Sequence, residues 1–325
     1  MPVSAAPWRL AARRLRRDRR ALAAAGVLMA LVLISVAAPV WANHVAHTGP
    51  EEIHITDKVE VDGKRVAVVA EDGQPIGPTW EGRFFLGADS KGRDVMVRLL
   101  YGGRNSLLIG MAAALATIAL GIGLGLLSGY AGGLVDGAIS AGVDVLWAFP
   151  GILLGISVGA ALTAGGLDLG PVEIASGSLL IPVLVITIGA VPYVVRPIRA
   201  EVRSVREQEF VLAARAVGMR PRQIMAREIL PNVSSTLLVL FPVIVGNAIQ
   251  LEAALSFLGV GVQPPDPSWG NLIDEGSERL TTAPHLAVAA GMLVVLTVLT
   301  LNMLGDGVRR GFDPHARRRS YLKQT

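Results

Sequence analysis

The chain has 325 residues, 52% of them hydrophobic, and a mean hydropathy of +0.52. An ordinary soluble domain is more polar and scatters its apolar residues at core spacing, whereas here they gather in long blocks, so a membrane protein is expected. Net charge is a modest +4 and cysteine is absent, which excludes a disulfide framework, a thiolate metal site and a cysteine nucleophile.

A bilayer-spanning helix needs ~20 mostly apolar residues. A basic tail, residues 1–20, carries Arg9, Arg13, Arg14, Arg16, Arg17, Arg19 and Arg20. The first span is predicted over 21–42. Its apolar stretch exceeds the ~7–15 residues of a leader's core and no Ala-x-Ala site ends it, so it is read as an uncleaved anchor.

Residues 43–104 form one long segment predicted to lie outside. Within it "KVEVDGKRVAVVA" alternates around Asp62-Gly63, the signature of a small β-hairpin. Next, "LGADSKGRDVMVRLLYGGRNSLL" predicts an interfacial helix capped by Asp89 or Ser90, with Val95, Leu99 and Leu100 on its apolar side. Spans follow at 105–130, at 138–162 with a kink expected at Pro150, and at 174–195. A basic segment occupies 196–231 and the fifth span 233–258. The loop 259–284 reads as Pro-rich extended chain, then a short helix with Trp269 at the membrane interface. The sixth span, 285–304, leads into a tail, 305–325, that holds Arg309, Arg310, Arg317, Arg318, Arg319 and Lys323.

The predicted fold is therefore an all-α polytopic membrane protein with six transmembrane helices and a small external hairpin. Six spans bring all three basic segments to one face, which five or seven would not, and that face is expected to be cytoplasmic.

The segment 209–232, "EFVLAARAVGMRPRQIMAREILPN", is an unusual island. Phe210, Ala213, Ala214 and Val217 recur at helical spacing over 207–217. Gly218 stands where a helix end takes a left-handed residue, and Pro221 where a new helix begins. A second short helix is predicted over 222–230, ended by Pro231. Ala213 and Ala214 leave a patch without bulk for another protein's surface to approach, ringed by Arg215, Arg220, Arg222 and Arg227. A bare topology-setting loop or an anionic-lipid site needs only charge, whereas these residues stand in a set order, so a docking element is favoured.

Charge inside the spans is rare and costly. Asp144 reads as path-facing or as paired with an arginine near a span end. Asn247, Gln250 and Glu252 share the fifth span and either line a path or pack across the bundle. Asp306 sits at a span exit. Gly121, Gly125 and Gly129 repeat every four residues, a helix-packing pattern and not a phosphate loop. His44, His47 and His54 lack the spacing of a metal shell, so no metal site is expected. The basic clusters lack interleaved aromatics, so no nucleic-acid partner is expected. No catalytic constellation appears, and no Gly-x-x-x-x-Gly-Lys-Ser/Thr phosphate loop.

The segment "LAARAVGMRPRQIMAREILP" resembles the coupling loop of permease subunits of prokaryotic ABC importers, matched at Ala213, Ala214, Gly218, Leu230 and Pro231. Leu212 stands at the family's Glu position, a departure, with Glu209 nearby as a substitute. "FLGADSKGRDVMVRLLYGGRNSLLIG" and "EAALSFLGVGVQPPDPSWGNLI" are similar to the C-type permease of the dipeptide/oligopeptide subfamily. The resemblance implies a non-catalytic inner-membrane subunit that pairs with a second homologous permease. Two cytoplasmic ATPase subunits or domains would use ATP and Mg²⁺, and this chain would bind no cofactor. A binding protein outside would deliver di- or oligopeptides, with nickel, glutathione and glycosides left open. It also implies ATPase contact by Glu209, Leu212, Ala213, Ala214, Arg215, Gly218, Met219, Leu230 and Pro231. A path past Asp144, Asn247, Gln250 and Glu252 is the accompanying expectation. The alternative is a stand-alone secondary transporter or channel, which would need functional ionisable groups in its spans and no docking loop.

Overall fold

The computed structural model describes residues 15–312 apart from 62, 169, 171 and 172. Helix α1 (Arg19–Val36) opens under Asp18, whose carboxylate accepts the backbone N–H groups of Arg20 and Ala21. Helical turns continue through α2 (Ala38–Trp41) and a π turn (Ala42–Ala46), ending at His47 with φ 48. The expected hairpin follows. Strand β1 (Lys58–Val61) pairs antiparallel with β2 (Lys64–Ala67), Val61 opposite Lys64. Gly63 takes φ 73, as a two-residue turn requires, while Asp62 lies outside the described residues. Val68, Phe84 and Ala88 form a small core beside the hairpin.

Helix α3 (Val95–Ala131) has 37 residues, about 55 Å at ~1.5 Å per residue. The separate interfacial helix expected here does not exist, because those turns are the start of α3. Its cap is Asp94, not Asp89 or Ser90, and accepts from Val97 N–H. The reason is local. The Asp89 carboxylate folds back to accept the N–H groups of Lys91 and Arg93, so 89–93 is held as a tight loop.

The third expected span is broken rather than kinked. Helices α4 (Gly133–Ala148) and α5 (Gly151–Gly165) meet at 92°. Pro150 disfavours helix at the preceding residue, and Phe149 is extended at φ −88, ψ 136. Ile174, placed by hydropathy in the fourth span, instead belongs to β4 (Glu173–Ile174), which pairs with β3 (Leu167–Asp168). Helix α6 starts later and runs longer than expected, Leu180–Arg206. It packs along α3, where a Cβ on Gly121, Gly125 or Gly129 would meet Val194, Ile198 and Val202 at 2.4, 2.7 and 2.7 Å. The four-residue glycine repeat is thus a packing seam.

Helix α7 (Glu209–Ala216) and α8 (Pro221–Ile224) follow, then a π turn (Met225–Ile229) and α9 (Leu230–Phe257). Pro231 does not end the second short helix, as expected, but lies in the first turn of α9. Proline lacks the N–H and crowds the turn before it. The chain absorbs it by widening there, with Leu230 N–H reaching back to Met225 O in the π pattern. Helix α10 (Trp269–Ser277) and α11 (His285–Phe312) complete the chain. Trp269, expected at the membrane interface, is buried instead. Its Nε1–H donates to Leu99 O at 3.1 Å and its backbone N–H to Ser106 Oγ at 3.1 Å.

Five helical runs are each long and apolar enough to span a bilayer, and the bent α4–α5 pair supplies a sixth. Ser35 near the end of α1 lies beside Gly103 near the start of α3. Gly307 of α11 packs on Ala21, and Arg310 pairs with Asp18 at 2.7 Å. The guanidinium of Arg215 in α7 sits over the ring of Tyr130 at the end of α3. The described parts of the three basic segments therefore share one end of the bundle, opposite the hairpin. Arg9, Arg13, Arg14, Arg317, Arg318, Arg319 and Lys323 lie outside the described residues.

Candidate functional site

At the basic end, α7 lies across the bundle. Val211 and Ala214, three residues apart on one helix face, are buried in the main core with Ile198, Val202, Ile224 and Ile229. Glu209, Phe210, Leu212, Ala213 and Arg215 face outward, and Val217 is 79% exposed. The expected Ala213-Ala214 patch is therefore corrected. Ala213 is accessible, while Ala214, 7% exposed, is small because its own core leaves no room. Gly218 takes φ 80 and closes α7, with Met219 N–H donating to Ala214 O at 3.1 Å. Met219 and Leu230 are half-buried against the same core, and Pro231 is exposed. Pro221 opens α8, with Gln223 Oε1 accepting from Arg220 N–H at 3.2 Å.

One bridge ties this loop to the spans, and a second ties α6, which leads into it, to α3 and α4. Arg206 Nη1 donates to Tyr130 O at 3.1 Å while Arg215 lies 5.1 Å from the centre of the Tyr130 ring. Asp136 of α4, 6% exposed, receives Arg199 Nη2 at 2.8 Å, and also Arg203 and the Ser128 hydroxyl. Sequence reasoning missed Asp136. The signal was present: Arg196, Arg199, Arg203 and Arg206 recur at three- and four-residue spacing on α6, and such a row needs an acid facing it.

Within the spans, Asn247 and Gln250 are exposed and line a cavity of about 440 Å³ between α6, α9 and the start of α5. Asp144 lies apart from them, exposed and paired with Arg196 at 2.8 Å. The Arg196 guanidinium stacks 4.3 Å over Trp147, whose ring lies 4.7 Å from that of Tyr193. Glu252 is 0% exposed and does not line the cavity. Its Oε1 accepts from Ser256 Oγ at 2.7 Å, and that oxygen accepts Val262 N–H at 3.0 Å, so Glu252 holds the loop after α9. The four expected path residues thus separate: two line the cavity, one stands beside an arginine, and one is a buried tether. Asp306 is exposed.

At the hairpin end a second ionic cluster escaped sequence reasoning. Asp89 receives Arg93 and Arg98, each at 2.7 Å, and Glu275 of α10 receives Arg93 at 2.9 Å and also Arg98. Burial pushes the Glu275 carboxyl up, but the Arg98 and Arg93 guanidiniums outweigh it and hold it below the usual carboxylate range. His54 is bonded to Thr48 at 2.8 Å and Asp57 at 3.0 Å. Among the described residues no group of three or more His, Asp or Glu side chains is placed to hold a metal.

Comparison with known proteins fits this layout. Residues 121–318 match the family described as binding-protein-dependent transport system inner membrane component, and residues 6–53 the N-terminal TM domain of oligopeptide transport permease C. The glutathione transport system permease protein GsiD of Pectobacterium atrosepticum is 35% identical over 308 residues, covering 95% of this chain and 91% of the relative. The dipeptide transport system permease protein DppC of Alkalihalophilus pseudofirmus is 34% identical over 313 residues, covering 96% and 91%. In fold, the chain resembles one from inward-facing crystals of the MetNI methionine ABC transporter, with TM-score 0.53, 20% identity, and 67% of this chain and 97% of that one covered. The six-span bundle, the π-joined basic loop and these matches along nearly the whole chain lead to one assignment: the chain belongs to the binding-protein-dependent transport system inner membrane components, and is a non-catalytic, multi-pass permease subunit.

Proposed function

We propose that the chain is the permease of an ATP-driven importer for short peptides, glutathione among them, worked by a separate ATPase that docks on residues 206–231. One observation carries the docking. Phe210 and Ala213 of α7, with Val217 just beyond its end, form an outward apolar stripe beside exposed Leu212, while the opposite side of the helix is fixed in the core. Apolar residues grouped on a charged surface mark a partner site. Glu209, Arg215, Gly218, Met219, Leu230 and Pro231 frame the stripe, and the arginines fix its approach. Leu212, at the position usually held by Glu, offers an apolar contact in place of a charged one.

In this reading the basic end faces the cytoplasm. A second homologous permease completes the path, two ATPase subunits or domains consume ATP and Mg²⁺, and a binding protein delivers solute at the hairpin end. Movement of α7 reaches α3 through Tyr130 and α4 through α6 and Asp136, which alternates access to the cavity at Asn247 and Gln250. The test is Ala213→Trp, which adds bulk to the outward face and leaves the core side intact. ATPase copurification is expected to fall about tenfold or more, an interface loss of at least ~1.4 kcal/mol, with membrane insertion unchanged. Unchanged copurification and uptake, or solute flux down a gradient by the purified chain alone, refutes the reading.

A further inference from the structure

We infer that Asp144 and Arg196, with Trp147 and Tyr193, form a two-ended charge site that receives a short zwitterionic peptide at the edge of the α6–α9 cavity. The inference rests on the peptide-permease reading and adds where the charged ends of the solute are met.

The cavity walls themselves carry no charge. They are apolar apart from Asn247, Gln250 and Tyr193, and their volume of about 440 Å³ falls within the ~300–1,000 Å³ range of small-molecule sites. A peptide with a free ammonium and a free carboxylate cannot leave both without partners in such surroundings. Tyr193 belongs both to the cavity wall and to the stack on Trp147. Trp147 carries the Arg196 guanidinium, and Arg196 holds Asp144. One cation and one anion thus stand together behind the Trp147–Tyr193 stack, whose Tyr193 lines the cavity. The break at Phe149–Pro150 makes this possible: it directs Gly151 and Ile152 into the cavity wall while Asp144 and Trp147 remain on the preceding helix.

The state of this pair differs from that of the buried ion pairs. Arg199 and Arg203 are committed to buried Asp136, and Arg93 and Arg98 to Asp89 and Glu275. Asp144 and Arg196 keep 66% and 40% of their side-chain surface exposed. Exposed pairs are weak and open readily, and charge turned to hydrocarbon is strongly disfavoured, so this face belongs to water or to protein. When the pair opens, the guanidinium offers two parallel N–H groups to a carboxylate, and Asp144 accepts from an ammonium. Every charge remains paired throughout and the net charge of the site does not change. The faces of Trp147 and Tyr193 supply flat apolar contact to the solute between its ends.

The test uses the whole transporter in proteoliposomes, with its ATPase and binding protein, and labelled dialanine and glutathione as probes. Uptake per ATP hydrolysed is expected to fall about tenfold in Arg196→Gln and in Asp144→Asn, with the ATPase still copurifying. The double swap Asp144→Arg with Arg196→Asp keeps an ion pair but reverses the order of charge along the path, and is expected to remain impaired. Uptake restored by the swap shows a structural strut and overturns the site, as does wild-type uptake in either single variant. Absence of ATP-driven uptake of both probes by the wild type overturns the peptide reading and the site with it, so the two failures are told apart.

Discussion

Adjacent alanines in α7 have opposite duties. Ala214 is packed under the loop and Ala213 stands free above it. Ala214→Leu overfills a closed core and is expected to cost about 1–3 kcal/mol of stability. Ala213→Leu is expected to stay within about 0.5 kcal/mol. Thermal unfolding in detergent separates the two, and equal losses would place both side chains in the core. Glu275 gives a pH-dependent contrast. Its carboxyl is held below its ordinary value of 4.5 in the folded chain, so its stabilising contribution is complete above that value and lost as pH falls through the folded value. Glu275→Gln is expected to lower the melting temperature at neutral pH. The gap from wild type should close as pH drops below the ordinary value, and a gap constant with pH would remove Glu275 from the ion network.

At the scale of elements, the α3–α6 seam is set by small residues. Gly125 has Ile198 directly against it, whereas Gly123, two residues earlier on α3, faces open space. Gly125→Leu is expected to force the helices apart at a cost of about 1–3 kcal/mol, and Gly123→Leu to be tolerated. Equal tolerance at both would mean that the seam is not close-packed. The glycine spacing was legible in the sequence because small residues repeated on one helix face have few other uses. The 92° break between α4 and α5 was only half legible: proline announces a disturbance, but its angle depends on what the two halves pack against. The π turn before α9 was not legible, since a proline reads locally as a stop whether or not the helix can widen around it.

Taken whole, the molecule is a bundle with one basic end and one hairpin end, and its helices are cross-tied near both by ion clusters. Asp136 joins α3, α4 and α6 at the basic end. Asp136→Asn leaves Arg199 and Arg203 without their acid and is expected to cost about 1–3 kcal/mol, read from unfolding in detergent. The absence of cysteine makes orientation simple to test. A single cysteine at Val217 is expected to react with an impermeant thiol reagent only from the cytoplasmic side, and one at Lys64 only from outside. The reverse pattern would invert the whole arrangement.

The sequence by itself determined the properties that depend on near neighbours: which stretches are apolar enough to span, that the basic segments share a face, where Gly63 turns a hairpin, and where Gly218 and Pro221 break the basic loop. Hydropathy and backbone preference are local, and they survive in a linear reading. Tertiary structure alone decided which way Glu252 points, which alanine is free, that Trp269 is buried, and that Arg93 and Arg98 meet Glu275. Those outcomes turn on contacts between residues far apart in the chain, where burial and charge pairing are fixed only once the helices have packed.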